Sequence, residues 1–153
     1  MKQSAGLLLY RRPTRADVEV LLVHPGGPFW ARKDEHAWSI PKGEYLADED
    51  PLAAARREFA EETGYAPDGT PWDLGSVKAS DKVIHVWALE GDWDPSALVS
   101  NDFEMEWPPR SGRRATFPEV DRAAWFDLAT ARVKIHKNQF VFLDRFARAL
   151  DGH

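Results

Sequence analysis

The sequence contains no cysteine, and this absence removes several kinds of chemistry from consideration. Without thiols the chain cannot form disulfides, use a thiolate nucleophile or bind zinc through sulfur ligands. The five histidines are scattered, and none stand at the H-x-x-H or H-x3-H spacing that is typical of metal sites. We therefore expect neither a zinc-thiolate site nor a histidine metal site.

Long apolar runs and an excess of positive charge are also missing. The longest early apolar run, Ala5–Tyr10, is too short for a signal-peptide core or a membrane span. The formal net charge is −5, so nothing indicates a general attraction to a nucleic-acid polymer or to a membrane. We therefore expect a cytoplasmic protein without a polymer or membrane partner. Whether it is a monomer or a homodimer is left open.

What the sequence does contain is enough apolar material for a packed core. Hydrophobic residues make up 43% of the 153 residues, and seven of them are tryptophan, which argues against disorder. The length is that of one ordinary domain, and no internal repeat or linker interrupts it. We therefore expect residues 1–153 to form a single domain.

Short apolar strands alternate with helical segments, which predicts an α/β fold. The predicted strands are Ala5–Tyr10, Val18–His24, His36–Ile40, Asp73–Ala79, Lys82–Glu90 and Ala123–Phe126. A turn at Arg11–Asp17 should join the first two strands into a hairpin, and Ser80-Asp81 should join the fourth and fifth. The polar, proline-rich stretch Glu104–Pro118 predicts a long loop. Four-residue spacing of apolar side chains predicts an amphipathic helix at Asn138–Leu150.

Residues 51–63 have the start and stop signals of a helix. Asp50 can accept a hydrogen bond as N-cap, and Pro51 fits the first helical position, where its missing N–H costs nothing. Gly64 supplies a left-handed stop at the other end. A helix at Pro51–Thr63 follows from these three positions.

The predicted helix carries three glutamates on one side. Glu58 and Glu62 lie one turn apart, and Glu61 flanks them. Clustered carboxylates repel one another unless a cation lies among them, and Mg²⁺ or Mn²⁺ takes oxygen ligands of this kind. The pattern therefore predicts a divalent metal site.

The same segment resembles the Nudix box, whose pattern is G-x5-E-x7-R-E-U-x-E-E-x-G-U. Its fixed positions are filled by Gly43, Glu49, Arg57, Glu58, Glu61, Glu62 and Gly64. Phe59 and Tyr65 take the two bulky apolar positions, where aliphatic residues are commoner. On this motif the chain resembles the MutT-like Nudix hydrolase family, over about residues 4 to 150.

The resemblance implies both a fold and an activity. The fold is a mixed β-sheet sandwiched between α-helices, and the activity is metal-dependent hydrolysis of a phosphoanhydride bond in a nucleoside diphosphate linked to a moiety X. In the family, metal is held at the positions of Glu58 and Glu62 and by the backbone carbonyl that is here that of Lys42. Glu61 completes the site or bridges a second ion. The metal activates water and neutralises phosphoryl oxygens.

Other charged positions have different expected roles. Arg57 and Glu49 should form a structural pair that holds the loop to the helix. The general base is left open, because Nudix enzymes take it either from the box or from a distal loop. The candidates are Glu61 in the box and three distal acids, Glu104, Glu106 and Glu119. Glu61 is slightly favoured, because it neighbours the metal ligands and the distal acids lie in a proline-broken segment.

Upstream of the box, residues 38–43 read Trp-Ser-Ile-Pro-Lys-Gly and are similar to the W-x-x-P-K-G run of the diadenosine polyphosphate hydrolase branch of the family. This favours a dinucleoside polyphosphate as substrate, with ADP-ribose, a nucleoside triphosphate or an inositol pyrophosphate as rivals. Lys42 and Arg32 could place positive charge near a phosphate, or could be solvated loop residues. Trp38 could stack on a base or belong to the core.

A second class of function is a catalytically weak Nudix domain that serves as a nucleotide-binding sensor module. Such modules usually carry an added DNA-binding domain or have lost box glutamates. Because all three box glutamates are present here, the sequence favours the enzyme.

Overall fold

A six-stranded mixed β-sheet forms the centre of the computed structural model, which describes residues 1–14 and 16–153. In chain order the elements are β1 (Lys2–Arg11), β2 (Glu19–Pro25), β3 (Lys42–Tyr45), α1 (Pro51–Thr63), β4 (Trp72–Ala79), β5 (Lys82–Glu90), β6 (Asp102–Glu106), β7 (Arg114–Pro118), β8 (Val120–Asp127), α2 (Leu128–Lys134) and α3 (Phe140–Ala149). The strand order is β4-β5-β1-β2-β8, and β3 pairs with β1. Strands β6 and β7 form a separate hairpin.

Strand β1 lies at the centre of this sheet and is buried on both faces. It runs parallel to β5 and antiparallel to β2 and β3. Leu7 and Leu9 pack in one cluster with Phe59 of α1, whereas Leu8 packs in a second cluster with Phe142 of α3. A continuous apolar run is what a strand covered on both faces requires. The predicted mixed sheet between helices is therefore confirmed.

Most of the predicted elements are present. Helix α1 has the predicted bounds, and β1, β2, β4, β5 and β8 lie within a few residues of theirs. The hairpin at Ser80-Asp81 is confirmed, with Ser80 at φ +58°. The predicted turn at Arg11–Asp17 includes residue 15, which lies outside the described residues. Helix α3 begins at Phe140, after a 3-10 turn at Lys137–Gln139. Over the described ranges, no helix is long and apolar enough to cross a membrane.

The predicted strand His36–Ile40 is wrong. Trp38 and Ser39 form only isolated bridges, to Ile135 and Val23. His36 has φ +56°, a left-handed conformation that a strand cannot continue through. The paired strand is β3 instead, and its composition, with glycine and charged residues, gives no strand pattern. The seven-residue helix α2 was not predicted either.

The predicted loop Glu104–Pro118 is also wrong, because it contains most of the β6–β7 hairpin. The two strands pair from Asp102↔Pro118 to Glu106↔Arg114. The prolines at 108 and 109 lie in the connection, so they remove no hydrogen bond from the ladder. Strand β6 reads Asp-Phe-Glu-Met-Glu, with alternate residues exposed, and this period of two is the signal that the proline-rich composition obscured.

The capping of α1 provides a test of its local stability. Asp50 accepts a hydrogen bond from the Ala53 N–H at 3.0 Å. Asp50→Ala leaves that N–H without its partner, so we expect the free energy of unfolding to fall by about 1 kcal/mol in urea denaturation. Asp50→Asn can still cap and should lose only a few tenths, and Asp48→Ala, at an exposed neighbour, should change little. Equal losses in Asp48→Ala and Asp50→Ala would contradict the capping role.

Candidate active site

The second half of α1 carries the three predicted carboxylates. The helix buries Ala54, Ala55 and Phe59 against the sheet, which fixes its rotation about its own axis. Glu58, Glu61 and Glu62 are left only partly buried on other sides of the helix. The apolar side of α1 therefore decides where the carboxylates point.

The carboxylate of Glu58 lies directly against the backbone of β3. A Cβ atom built at Gly43 would stand 2.0 Å from Oε2 and 2.1 Å from Cδ of Glu58. Only a residue without a side chain leaves this space open. The first glycine of the motif therefore has a steric reason in this chain, because Glu58 takes the space that a side chain at position 43 would need.

Arg57 connects three carboxylates. Its Nε and Nη2 donate to the two carboxylate oxygens of Glu49 at 2.8 and 3.0 Å. Its Nη1 donates to Glu58 at 2.8 Å and to Glu61 at 3.3 Å. The hydrogen bond from Arg57 holds the pKa of Glu49 below its ordinary value, and Glu49 in turn raises the pKa of Arg57. The sequence did not indicate that Arg57 also contacts the carboxylates of α1.

Glu62 and Lys42 face each other in a poorly solvated position. Loss of water raises the pKa of Glu62 to about 8, although the charge of Lys42 and the hydrogen bond from its backbone N–H act in the opposite direction. Loss of water likewise lowers the pKa of Lys42, and the charge of Lys82 adds to that effect. For each group, the loss of hydration disfavours the charged form, and the attraction between Glu62 and Lys42 offsets only part of this effect.

Glu119 reaches this cluster from a distant part of the chain. The Asn101 N–H donates to the carbonyl of Glu61 at 3.0 Å, and the Glu119 N–H donates to the carbonyl of Asn101 at 2.8 Å. On its other side, the Glu119 carbonyl accepts from the Gly26 N–H at 2.9 Å. These hydrogen bonds hold the Glu119 backbone between the end of α1 and the end of β2.

A cavity of about 190 Å³ lies where these segments meet. It is lined by Val23, Pro25, Ser39, Lys42, Glu62, Glu119 and Val120. Partial loss of water raises the pKa of Glu119, and the negative charge of Glu61 raises it further. The charge of Glu119 in turn contributes to the raised pKa values of Glu58 and Glu62. The four acids therefore interact as one group.

The structure does not bring every candidate residue to this group. Glu104 and Glu106 are exposed on β6, and neither of them lines the cavity. Glu106 accepts a hydrogen bond from the Arg110 N–H at 2.9 Å instead. Arg32 is exposed in the loop before β3 and does not line this cavity. Of the three distal acids, only Glu119 is at the cavity.

The possibility that Trp38 stacks on substrate is contradicted. Its side chain is only 4% exposed, and its ring packs edge-on against His24 and Phe126, at centroid distances of 5.2 and 5.0 Å. Its Nε1 donates to Asp34 at 2.8 Å. Trp38 is a core residue without a ring face available to a ligand.

The carboxylates are the type of ligand that binds a divalent cation, although they do not form a preformed metal site. In residues 1–14 and 16–153, no group of three His, Asp or Glu side chains is close enough together to hold a metal ion. Arg57 instead holds the carboxylates of Glu58 and Glu61. The donors available at the cluster are oxygen atoms, which hard cations such as Mg²⁺ prefer. The Glu58 carboxylate lies against the backbone of Gly43.

Sequence comparison shows similarity both to a domain model and to curated proteins. The model described as NUDIX domain matches residues 2–146. The RNA pyrophosphohydrolase of Thioalkalivibrio sulfidiphilus is 49% identical over 41 residues, which are 26% of this chain and 24% of that protein. The chain therefore matches about a quarter of the length of this relative.

Solved structures share the fold. An Ap4A hydrolase from C. elegans, in a binary complex, has a TM-score of 0.65 and 22% identity, with all of both chains covered. The NUDIX domain of NrtR from Shewanella oneidensis, complexed with ADP ribose, has a TM-score of 0.63 and 16% identity, over 97% of this chain and 87% of that one. At these identities the likeness shows the fold alone.

The contact between Glu58 and Gly43 can be tested by adding one methyl group. In Gly43→Ala the Cβ would occupy the space of the Glu58 carboxylate, so we expect Glu58 to turn away from β3 and to lose its contact with Arg57. A crystal structure of the variant measures the displacement. Gly152→Ala is the control, since a Cβ there meets nothing within 4 Å. An unmoved Glu58 carboxylate in Gly43→Ala would contradict the steric argument.

Proposed function

The chain belongs to the NUDIX family, whose model matches residues 2–146, and on that premise we propose that it is a metal-dependent pyrophosphohydrolase. The bond cleaved is a phosphoanhydride in a nucleoside diphosphate linked to a moiety X. The observation that carries this proposal is the meeting of Glu62 of α1, Lys42 and Glu119 at one cavity. A diphosphate brings several negative charges, so its hydrolysis requires positive charge and activated water in the same place.

The cofactor we propose is Mg²⁺ or Mn²⁺, held by Glu58, Glu61, Glu62 and the backbone carbonyl of Lys42. Support comes from the oxygen donors and from the position of Glu58 against β3. When bound, such an ion lowers the pKa of water and screens phosphoryl oxygens. Arg57 orients two of the carboxylates through its hydrogen bonds and is itself oriented by Glu49.

Glu119 is the residue we propose as general base, with Glu61 as the alternative. Glu119 lines the same cavity as Glu62 and remains accessible to solvent, whereas Glu61 is hydrogen-bonded to Arg57. The raised pKa of Glu119 brings its carboxylate closer to the range suited to accepting a proton near neutral pH. The Lys42 side chain lines the cavity too, where it can bind a phosphoryl oxygen.

The proposal for the moiety X comes from similarity to other proteins. A dinucleoside polyphosphate is suggested by the Trp-Ser-Ile-Pro-Lys-Gly run at residues 38–43, and the similar C. elegans protein is an Ap4A hydrolase. Because Trp38 is a core residue, however, its place in that run is explained by packing as well. ADP-ribose stays a rival, since the similar Shewanella domain was solved with that ligand. A sensor module would bind such a ligand without turning it over.

Turnover of a substrate panel tests the proposed activity. We expect Mg²⁺- or Mn²⁺-dependent release of phosphate or nucleotide from at least one of diadenosine tetraphosphate, ADP-ribose and nucleoside triphosphates, and none with a chelator. On the best substrate, Glu62→Gln should be slower by about 10²–10³-fold, because the amide keeps the shape of the side chain and removes its charge. An unchanged melting temperature is the control for folding. Binding without turnover across the panel would favour the sensor module instead.

A matched set of glutamine variants tests the assignment of the base. Glu119→Gln should lower kcat by about 10²-fold or more, within the usual contribution of general base catalysis, while metal affinity measured by calorimetry changes little. Glu104→Gln removes an exposed acid of the neighbouring β6–β7 hairpin and serves as the matched control. Should Glu61→Gln show that signature and Glu119→Gln retain nearly normal turnover, the base is Glu61.

A further inference from the structure

The pairing of β8 with β2 contains a bulge beside the carboxylate cluster. His24 of β2 pairs with Arg122. The next residue of β2, Pro25, pairs with Val120, so Asp121 is an additional residue on the β8 side. Because proline has no N–H, position 25 cannot donate a hydrogen bond to the ladder at this point. The ladder alone therefore holds the register weakly at the bulge, and other contacts must fix it there.

The bulge brings two successive side chains of β8 to the same face of the sheet. In a regular strand, successive side chains point to opposite faces. Here the Arg122 guanidinium lies over the ring of Trp38, at 5.2 Å from its centroid. The Asp121 carboxylate reaches the ring of His24, which packs edge-on against the same tryptophan. The side chains that precede Asp121, including that of Glu119, are therefore one residue out of step with the rest of β8.

The contact partner of the bulge is a fully buried histidine. The His24 side chain has no exposed surface, and its Nδ1 lies 2.8 Å from Oδ1 of Asp121. On the other side of the ring, Nε2 lies 2.6 Å from the carbonyl oxygen of Lys33. A carboxylate and a carbonyl only accept hydrogen bonds, so both contacts are satisfied when each ring nitrogen carries a proton. A buried polar group is costly without its partner, and the histidine therefore holds the Asp121 side chain on this face.

The residues just before the bulge lie at the cavity of the carboxylate cluster. Glu119 and Val120 both line it, together with Glu62. The Val120 N–H donates to Oγ of Ser100 at 3.0 Å, and the Glu119 backbone is hydrogen-bonded on both sides. These bonds fix the path of the backbone, whereas the direction of the Glu119 side chain depends on the turn of the chain at Asp121. Neither His24 nor Asp121 lines the cavity itself.

We propose that His24 and Asp121 are positioning residues for Glu119. The inference rests on the proposed function, because it takes Glu119 as the general base. The buried ring holds the bulge, and the bulge directs the Glu119 carboxylate into the cavity beside Glu62. A base must lie within hydrogen-bond reach of the water that it activates, so a small displacement of Glu119 is costly in rate. The two residues therefore act through Glu119 and not on the substrate.

Variants of Asp121 test this role in the whole chain. Asp121→Ala changes an exposed residue, so the melting temperature should report a folded protein. On the best substrate of the panel, kcat should fall by about 10- to 100-fold, the cost of misplacing a reacting group slightly, while KM and metal affinity change little. Asp121→Asn keeps an acceptor oxygen in the same place and should recover most of the rate. Glu104→Ala removes one exposed negative charge from the neighbouring hairpin and is the control.

A double-mutant cycle separates positioning from general damage. Adding Asp121→Ala to Glu119→Gln should slow turnover little further, because residues that act as a unit have strongly non-additive effects. A loss by the same factor with and without Glu119 would overturn the proposal. Normal kcat in Asp121→Ala would overturn it too.

A crystal structure of Asp121→Ala gives a readout that needs no turnover. We expect the Glu119 carboxylate to leave its place beside Glu62 in this variant and to keep it in Asp121→Asn. An unmoved carboxylate in Asp121→Ala would overturn the positioning role. A displaced carboxylate together with no hydrolysis across the substrate panel would uphold the positioning of Glu119 and count against the enzyme alone.

Discussion

The carboxylate of Glu58 lies against the backbone of β3 at Gly43, where any side chain would fill the same space. This contact is possible because Phe59, the next residue, is fully buried against the sheet and fixes the rotation of α1. β3 is in turn paired with the central strand β1. The position of the acidic cluster therefore depends on core packing, and the glycine provides the room that this packing requires.

Charge in the site is balanced by two cations with different surroundings. Arg57 is exposed and forms a fork to Glu49 while it contacts Glu58 and Glu61, so its hydrogen bonds hold these acids in a defined arrangement. Lys42 lies with Glu62 in a poorly solvated position, and both pKa values shift toward the neutral forms. The carboxylates of Glu58 and Glu62 also repel each other, which a bound cation would relieve, and this agrees with the proposed divalent ion.

The β6–β7 hairpin lies beside the carboxylate cluster. Its return strand ends next to Glu119, whose backbone is hydrogen-bonded toward both α1 and the loop after β2. The same hairpin carries Phe103, whose ring lies close to Gly27 of the loop after β2. The hairpin thus ends where Glu119 meets the carboxylate cluster, and it carries an aromatic side chain beside that cluster.

The sequence by itself determined what depends on local geometry. Asp50, Pro51 and Gly64 specified the ends of α1, and helical spacing put the three glutamates close together, because caps and helical periodicity involve neighbours in the chain. Only the tertiary structure decided that Trp38 is buried, that β3 pairs with β1, and that Glu119 rather than Glu104 reaches the cavity. Each of these depends on contacts between residues far apart in the chain, and no periodicity or cap records such contacts.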